Sequence, residues 1–368
     1  MDVCHFINTL AHAGAERIVY DIINKTNNDN IKYDVCYFGV DHDRREDLEE
    51  LGIEVTSFDA NSLLDVRVIP RVISHFNQNE YDLIHLHLPH ARSIGRIAGT
   101  ISNSRIISTY HNIPSQFHPV IRAADKATVF ADNRTVSVSR GVKNEMVDSH
   151  VYSMKKIKTI NNGIDIEELN KLIKSSSMKK VKEKLDFEDK FVFLNIGRYV
   201  KQKSQIDIIK AMETVVKSEP KAHLILVGGG PLENKLRSCV KECNLSSNVS
   251  ILGFVESINP YLRLADTYVS YSRNEGLPIS LLEAMSGGLP IIASDVPGNN
   301  DVVKDGKTGY LIPRTNVSIL SERMIDIIQS DEAYTMGQRG LEMAKKRFNA
   351  ERMVSEYVSE YKMLVGDE

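Results

Sequence analysis

Strand-like and helix-like segments alternate along almost the whole chain, and the alternation runs through twice. Short apolar runs stand at 3–7, 33–38, 83–86, 106–110 and 135–138, and residues 16–23, 66–76 and 141–147 between them carry helical spacing. The rhythm then restarts with strand-like runs at 191–196, 223–227, 249–252, 267–270 and 290–293, and helices around 205–217, 232–243, 278–286 and 316–329. Apolar runs joined by amphipathic helices predict parallel strands covered by helices on both faces. The fold class expected is therefore α/β, with two similar halves and no short-period repeat. A chain of 368 residues is long for one core and ordinary for two.

The seam between the halves falls in polar sequence. Asn161-Asn162-Gly163 is a turn cluster, and Ser175-Ser176-Ser177 runs into the charged stretch Met178-Lys179-Lys180-Val181-Lys182, which reads as a solvated helix face. We expect an N-terminal domain over 1–170 and a C-terminal domain over 171–348. Residues 349–368 form a trailing amphipathic helix that either caps its own domain or packs back on the first.

Charge and cysteine content narrow the classes. Forty-six Lys and Arg against 49 Asp and Glu leave a net charge of −3, without the basic footprint of a nucleic-acid binder. No apolar run reaches the ~18 residues of a membrane span, and residues 1–7 read as a buried strand, not a secretory leader. Cys4, Cys36, Cys239 and Cys243 fall in strand or helix patterns, as reduced thiols of a cytoplasmic protein would.

Four segments carry chemistry. In the first, Ser272-Arg273-Asn274-Glu275-Gly276-Leu277-Pro278 leads into a helix that Gly287 or Gly288 can end. Pro278 suits the first helical position, and the backbone N–H groups of 277–280 suit an anion. Glu275 lies in the loop ahead of the helix and Glu283 inside it, where a plain ion-paired carboxylate is the competing reading. In the second, Asn195-Ile196-Gly197-Arg198-Tyr199-Val200-Lys201-Gln202-Lys203 follows the first strand of the second half, where open α/β sheets bind ligands. Arg198 and Lys203 supply two cations there without a metal.

The third segment, Leu226-Val227-Gly228-Gly229-Gly230-Pro231-Leu232, allows close backbone approach to a ligand or to a neighbouring loop. It fails the dinucleotide spacing because Glu233 stands where the last glycine should be. The fourth lies in the first half, where Ala13-Gly14-Ala15-Glu16 opens a helix after the first strand. Further on, His85 and His87 share a strand face, and Thr109-Tyr110-His111-Asn112 ends another strand. With no third ligand at suitable spacing the His-x-His pair reads as packed or hydrogen-bonded; His111 lies at a strand's carboxyl end and is a functional candidate.

Glu275 and Glu283, with seven residues between them in EGLPISLLEAMSGGLPIIAS, join GRYVKQK, LVGGGPLE, Gly253-Phe254-Val255 and DGKTGYLI in a combination that resembles glycosyltransferase family four. The resemblance implies the GT-B fold, two Rossmann-like doubly wound domains facing across a cleft. It also implies retaining transfer of a hexosyl unit from a nucleotide sugar to a hydroxyl acceptor, by front-face attack with the leaving phosphate as base.

Carried over by position, Arg198 and Lys203 would neutralise the donor diphosphate. Glu283 would hold the ribose, the backbone of Gly253, Phe254 and Val255 would receive the base, and Glu275 with Gly276 and Leu277 would bind the transferred sugar. Gly14 would approach the diphosphate from the first domain, and His111 would contact the donor sugar near the reacting carbon. No cofactor and no divalent metal is expected, because protein cations serve the diphosphate. A UDP-sugar is the first expectation for the donor and GDP-mannose the second; a glycan or lipid-linked molecule is the expected acceptor. Ala13, Ser204 and Asp301 depart from the family pattern, which usually has Gly, Gly and Glu there.

Competing readings are a nucleotide-sugar epimerase of the same fold, a nicotinamide-dependent dehydrogenase, and a sugar-binding receptor. Arg67 and Arg71 within 66–76, together with the lysines of 155–158, could bring the protein to the inner face of an anionic membrane as a peripheral contact; packing helix and solvated loop are the alternatives.

Overall fold

The computed structural model describes residues 1–26, 30–40, 43–63, 65–149, 156–177, 189–314 and 316–366. It divides into two compact units, one of Met1–Gly163 with Ala350–Glu368 and one of Ile164–Asn349. The charged run 178–182 and Lys155 lie outside the described residues.

The first unit contains β1 (Asp2–Thr9), α1 (Gly14–Asn24), β2 (Lys32–Val40), α2 (Arg45–Glu50), β3 (Glu54–Ser57), α3 (Val68–Asn79) and β4 (Leu83–His87). It continues with α4 (Pro89–Ile101), β5 (Arg105–Tyr110), α5 (Pro119–Thr128), β6 (Arg134–Ser137), α6 (Arg140–Asp148) and β7 (Ile157–Thr159). The strands form one parallel sheet in the order β3-β2-β1-β4-β5-β6-β7. Side chains alternate across it with period two. Cys4, Phe6, Cys36, Phe38, Ile84 and Leu86 face the core under α3 and α4.

The opposite face carries His5 and His85, paired in register on β1 and β4. The last helix of the chain covers it (Ala350–Val365, α15 below): Tyr361 and Tyr357 reach His85 and Thr109, and Glu360 pairs with Arg134 at 2.7 Å and Lys158 at 2.6 Å. These contacts are why the tail belongs to the first unit.

The second unit contains α7 (Ile166–Ser175), β8 (Phe191–Ile196), α8 (Gln205–Ser218), β9 (Ala222–Val227), α9 (Glu233–Glu242), β10 (Val249–Gly253) and α10 (Asn259–Leu264). Then follow β11 (Thr267–Ser270), α11 (Ile279–Ser286), β12 (Ile291–Ser294), α12 (Asn299–Val302), β13 (Gly309–Ile312), α13 (Val317–Ile328) and α14 (Ala333–Arg347), before the chain returns to the first unit as α15. Its parallel sheet has the order β10-β9-β8-β11-β12-β13. Phe193, Leu224, Leu226, Val269 and Ile292 pack there against Ile208, Met212 and Leu320. The division at Gly163 precedes the expected 170 and leaves α7 whole in the second unit, where Asp165 caps it by accepting from Glu168 N at 2.9 Å.

Both sheets reverse strand order beside their first strand, between β1 and β4 and between β8 and β11. Such a reversal opens a crevice at the carboxyl ends of the strands, where α/β sheets place their ligands.

Candidate active site

At the β8/β11 reversal the two candidate loops of the second unit are latched together. Arg273 N donates to Gln202 O at 2.7 Å, and the Gln202 amide donates to Asn274 O at 2.9 Å. The latch brings Lys203 Nζ to 2.6 Å from Glu275 Oε1. Glu275 keeps only 5% of its surface exposed, whereas 21% of the Lys203 side chain remains open. Two residues separated by 72 positions thus form one charge pair at the switch point. A half-open cation beside a buried carboxylate can be shared with an incoming anion, because its remaining donors are free to rotate. Arg198, just beyond β8, is exposed.

Two features shape these loops. Ser204 has φ 52° and ψ 35°, the left-handed region that favours glycine, which accounts for the glycine usual at this position. Gly298 has φ 86°, and a Cβ there would stand 2.6 Å from Gly276 O. A side chain at 298 would push the 275–276 backbone away, so this glycine sets the shape of the Glu275 loop without appearing in the motif.

Glu283 is half-buried on α11, and the helix starts at Ile279, so Pro278 is its N-cap and not its first residue. Gly288, at φ 77°, follows the helix end. Tyr268 ties the parts together. Its hydroxyl donates to Ile196 O at 3.1 Å and bonds Ser280 Oγ at 3.0 Å, joining the end of β8 to the first turn of α11. Burial, with the Glu283 and Glu275 charges adding, pushes this phenol upward and keeps it a donor. Sequence reasoning passed over Tyr268; its only signal was a hydroxyl in an apolar strand, which needs a partner when buried.

Gly228 and Gly230 pack on the protein's own loop: a Cβ at Gly228 would collide with Gly197 O, and one at Gly230 would stand 2.8 Å from Tyr199 O. Of the two readings of this glycine run, the neighbouring loop holds for both positions. Gly228 N also donates to Gly253 O at 2.9 Å, which sets the turn at the end of β10. Phe254, next in the chain, leaves 75% of its surface exposed.

In the first unit, Gly14 opens α1 and is exposed, and the Glu16 carboxylate behind it accepts from Thr9 Oγ1 at 2.7 Å. His111 lies at the carboxyl end of β5, 8% exposed. A buried network clamps that end. Arg92 on α4 bonds Asp125 at 3.0 Å and Thr109 O at 3.3 Å, and Arg96 bonds Asp125 and Asp132, both at 2.8 Å. His85 and His87 are fully buried, and both are hydrogen-bonded. Burial lowers the imidazoles of His5 and His111 to about 3, so His111 is neutral and acts as a hydrogen-bonding group, not as a proton carrier.

Among the described residues, the cations considered for a membrane each have a protein partner. Arg67 pairs with Asp65 at 2.7 Å, Arg71 donates to Phe58 O at 2.6 Å, Lys156 to Asp132 O at 2.7 Å, and Lys158 binds Glu360. No helix among the described residues is long and apolar enough to cross a membrane.

The family described as "Glycosyl transferases group 1" matches residues 177–342, and "Glycosyltransferase Family 4" matches 12–168. The chain belongs to glycosyltransferase family four. This glycosyltransferase is 30% identical to an uncharacterized glycosyltransferase of Methanocaldococcus jannaschii, over 67% of this chain and 59% of that one. It is 26% identical to the UDP-Gal:alpha-D-GlcNAc-diphosphoundecaprenol alpha-1,3-galactosyltransferase of Escherichia coli, over 72% of this chain and 70% of that one. Among solved structures it resembles HepE of Anabaena in complex with UDP and glucose (TM-score 0.87, 21% identity, 99% of this chain and 100% of that one). Sucrose-phosphate synthase of Thermosynechococcus elongatus is similar as well (TM-score 0.84, 19% identity, 100% of both chains). The fold is GT-B.

Proposed function

We propose that this glycosyltransferase moves a hexosyl unit, with retention, from a UDP-sugar to a hydroxyl acceptor in glycan, polysaccharide or glycolipid assembly. The observation that carries the reading is the Lys203–Glu275 pair, held by latched loops at the β8/β11 reversal. Departure of a nucleoside diphosphate builds negative charge, and fixed donors aimed there favour the transition state. Arg198 and Lys203 take that role, and Glu275, with Gly276 and Leu277, holds the sugar. Glu283 holds the ribose, and the exposed Phe254 ring beside Gly253 and Val255 suits a base. Gly14 and His111 keep the donor contacts that the family resemblance implies. The leaving phosphate takes the proton of the attacking hydroxyl, which calls for no metal and no other base. UDP is preferred to GDP because the E. coli relative is named for a UDP donor and the HepE complex holds UDP.

The test is a thermal-shift panel of nucleoside diphosphates and their sugars, run with EDTA throughout. A ligand at 100 times its Kd stabilises by about 2.7 kcal/mol, so UDP should raise Tm by several degrees and GDP by less. Transfer from the stabilising donor should survive chelation. No response to any nucleotide at millimolar concentration would overturn the reading. Interconversion of the donor sugar without an acceptor would favour the epimerase.

The two glutamates should separate in calorimetry with UDP. Glu283→Gln is expected to weaken binding about tenfold, since ribose contacts serve ground and transition state alike. Glu275→Gln should lower kcat while tightening UDP a few-fold, because it releases Lys203 from its 2.6 Å pair. Weaker UDP binding in Glu275→Gln with none in Glu283→Gln would reverse the two roles.

A further inference from the structure

Three buried imidazoles of the first unit form an unbroken chain. His5 Nδ1 lies 3.0 Å from His87 Nε2, and His87 Nδ1 lies 3.0 Å from His111 Nε2. One end, His5 Nε2, is buried without a hydrogen-bond partner. At the other end, His111 reaches the carboxyl edge of the sheet, and its Nδ1 has no protein partner among the described residues. Burial lowers all three groups, so each ring carries a single N–H at neutral pH.

In a chain of neutral imidazoles one choice of tautomer settles the rest. Either every ring donates toward His5, leaving His5 with an unmatched N–H at Nε2, or every ring donates toward His111, leaving His5 Nε2 a bare lone pair. Orphaned buried donors are rarer than under-satisfied acceptors, so the second direction wins. We propose that the His5–His87–His111 chain locks His111 in its Nδ1–H tautomer, so that it offers a fixed N–H donor to an oxygen of the nucleotide sugar. His5 and His87 are positioning residues, and the proposal rests on the reading that His111 meets the donor.

His85 keeps the chain's geometry without joining it. Its ring centroid lies 3.9 Å from that of His87, with the rings tilted by 38°, and its nitrogens bond Tyr361 at 2.6 Å and Thr109 at 2.7 Å. His5, His85 and His87 also offer nitrogens within 4.8 Å of one another, the spacing of a metal site. An ion would have to displace these hydrogen bonds, which makes metal content a direct counter-test.

The experiment is long-range proton–nitrogen correlation spectroscopy on the full chain labelled with 15N-histidine. The wild type should show His5 and His111 as Nδ1–H tautomers, unchanged from pH 8 to pH 5.5. In His87→Phe, an aromatic replacement of similar size, His111 should relax to the tautomer mixture of a free imidazole while UDP binding stays within twofold. An Nε2–H tautomer at His111 in the wild type, titration of His111 above pH 5, or one stoichiometric zinc bound through these rings would each overturn the proposal. So would persistence of the Nδ1–H tautomer in His87→Phe; should that variant not fold, the wild-type spectra decide alone. The spectra need no turnover, so absence of glycosyl transfer with the tautomer intact would count against the proposed function and not against the locked ring.

Discussion

Lys203→Met is expected to lower turnover by about 10²–10³-fold, and Arg198→Ala by at least about 10²-fold. A donor aimed at charge that develops in the transition state is typically worth ~3–4 kcal/mol. The structure adds a complication. Removing Lys203 also strands Glu275, a residue only 5% exposed whose carboxylate loses its partner at 2.6 Å. Part of any loss would then be structural, since an unpaired buried charge destabilises. The double variant Lys203→Met/Glu275→Gln separates the two effects. It should recover most of the lost Tm and remain inactive, because stability needs only matched charge while catalysis needs the cation. Turnover near wild type in the double variant would remove the diphosphate assignment. Steady-state kinetics with thermal unfolding of all four species measures both quantities.

As pH falls below about 6 the first unit should lose stability faster than the second. His5, His85, His87 and His111 are held neutral by burial, with His5 and His111 at about 3. In the unfolded chain each would take a proton near 6.5. Between those values the unfolded state binds more protons, so stability falls as pH falls, and above about pH 7 these groups contribute no slope. Each contributes up to about 1.4 kcal/mol per pH unit. Arg92 adds to the effect by disfavouring further positive charge on His87 and His111. The second unit has His223, held at about 4, as its counterpart. Hydrogen exchange read by mass spectrometry at pH 7.5 and pH 5.0 resolves the units. Equal protection of the first unit at both values would show that the cluster takes up protons without cost.

The alternation of apolar runs and helical spacing determined the two doubly wound sheets, because a strand buried on both faces must be apolar at nearly every position. It also placed Arg198, Lys203 and Glu275 at strand ends, since a motif that directly follows such a strand has nowhere else to go. The edge strands β3, β7 and β13 were not legible: short strands buried on only part of their surface carry neither a visible period nor a continuous apolar run. Helix α4 escaped for a different reason, since Arg92 and Arg96 occupy its core-facing positions and break the apolar stripe that marks a buried face.

Which polar groups meet was decided by tertiary structure alone. Lys203 and Glu275 are 72 residues apart, and His5 is 82 from His87. Parallel register and crossover connections bring such groups together, and no local pattern encodes the register. The trailing helix shows the same limit. Its amphipathic spacing announced a helix over 350–364 but not which sheet it covers. That was settled by Tyr357, Glu360 and Tyr361, whose polar ends find Thr109, Arg134, Lys158 and His85 on the first sheet. Burying a hydroxyl or a carboxylate is tolerable only where partners already stand, and the positions of those partners exist only in the folded chain.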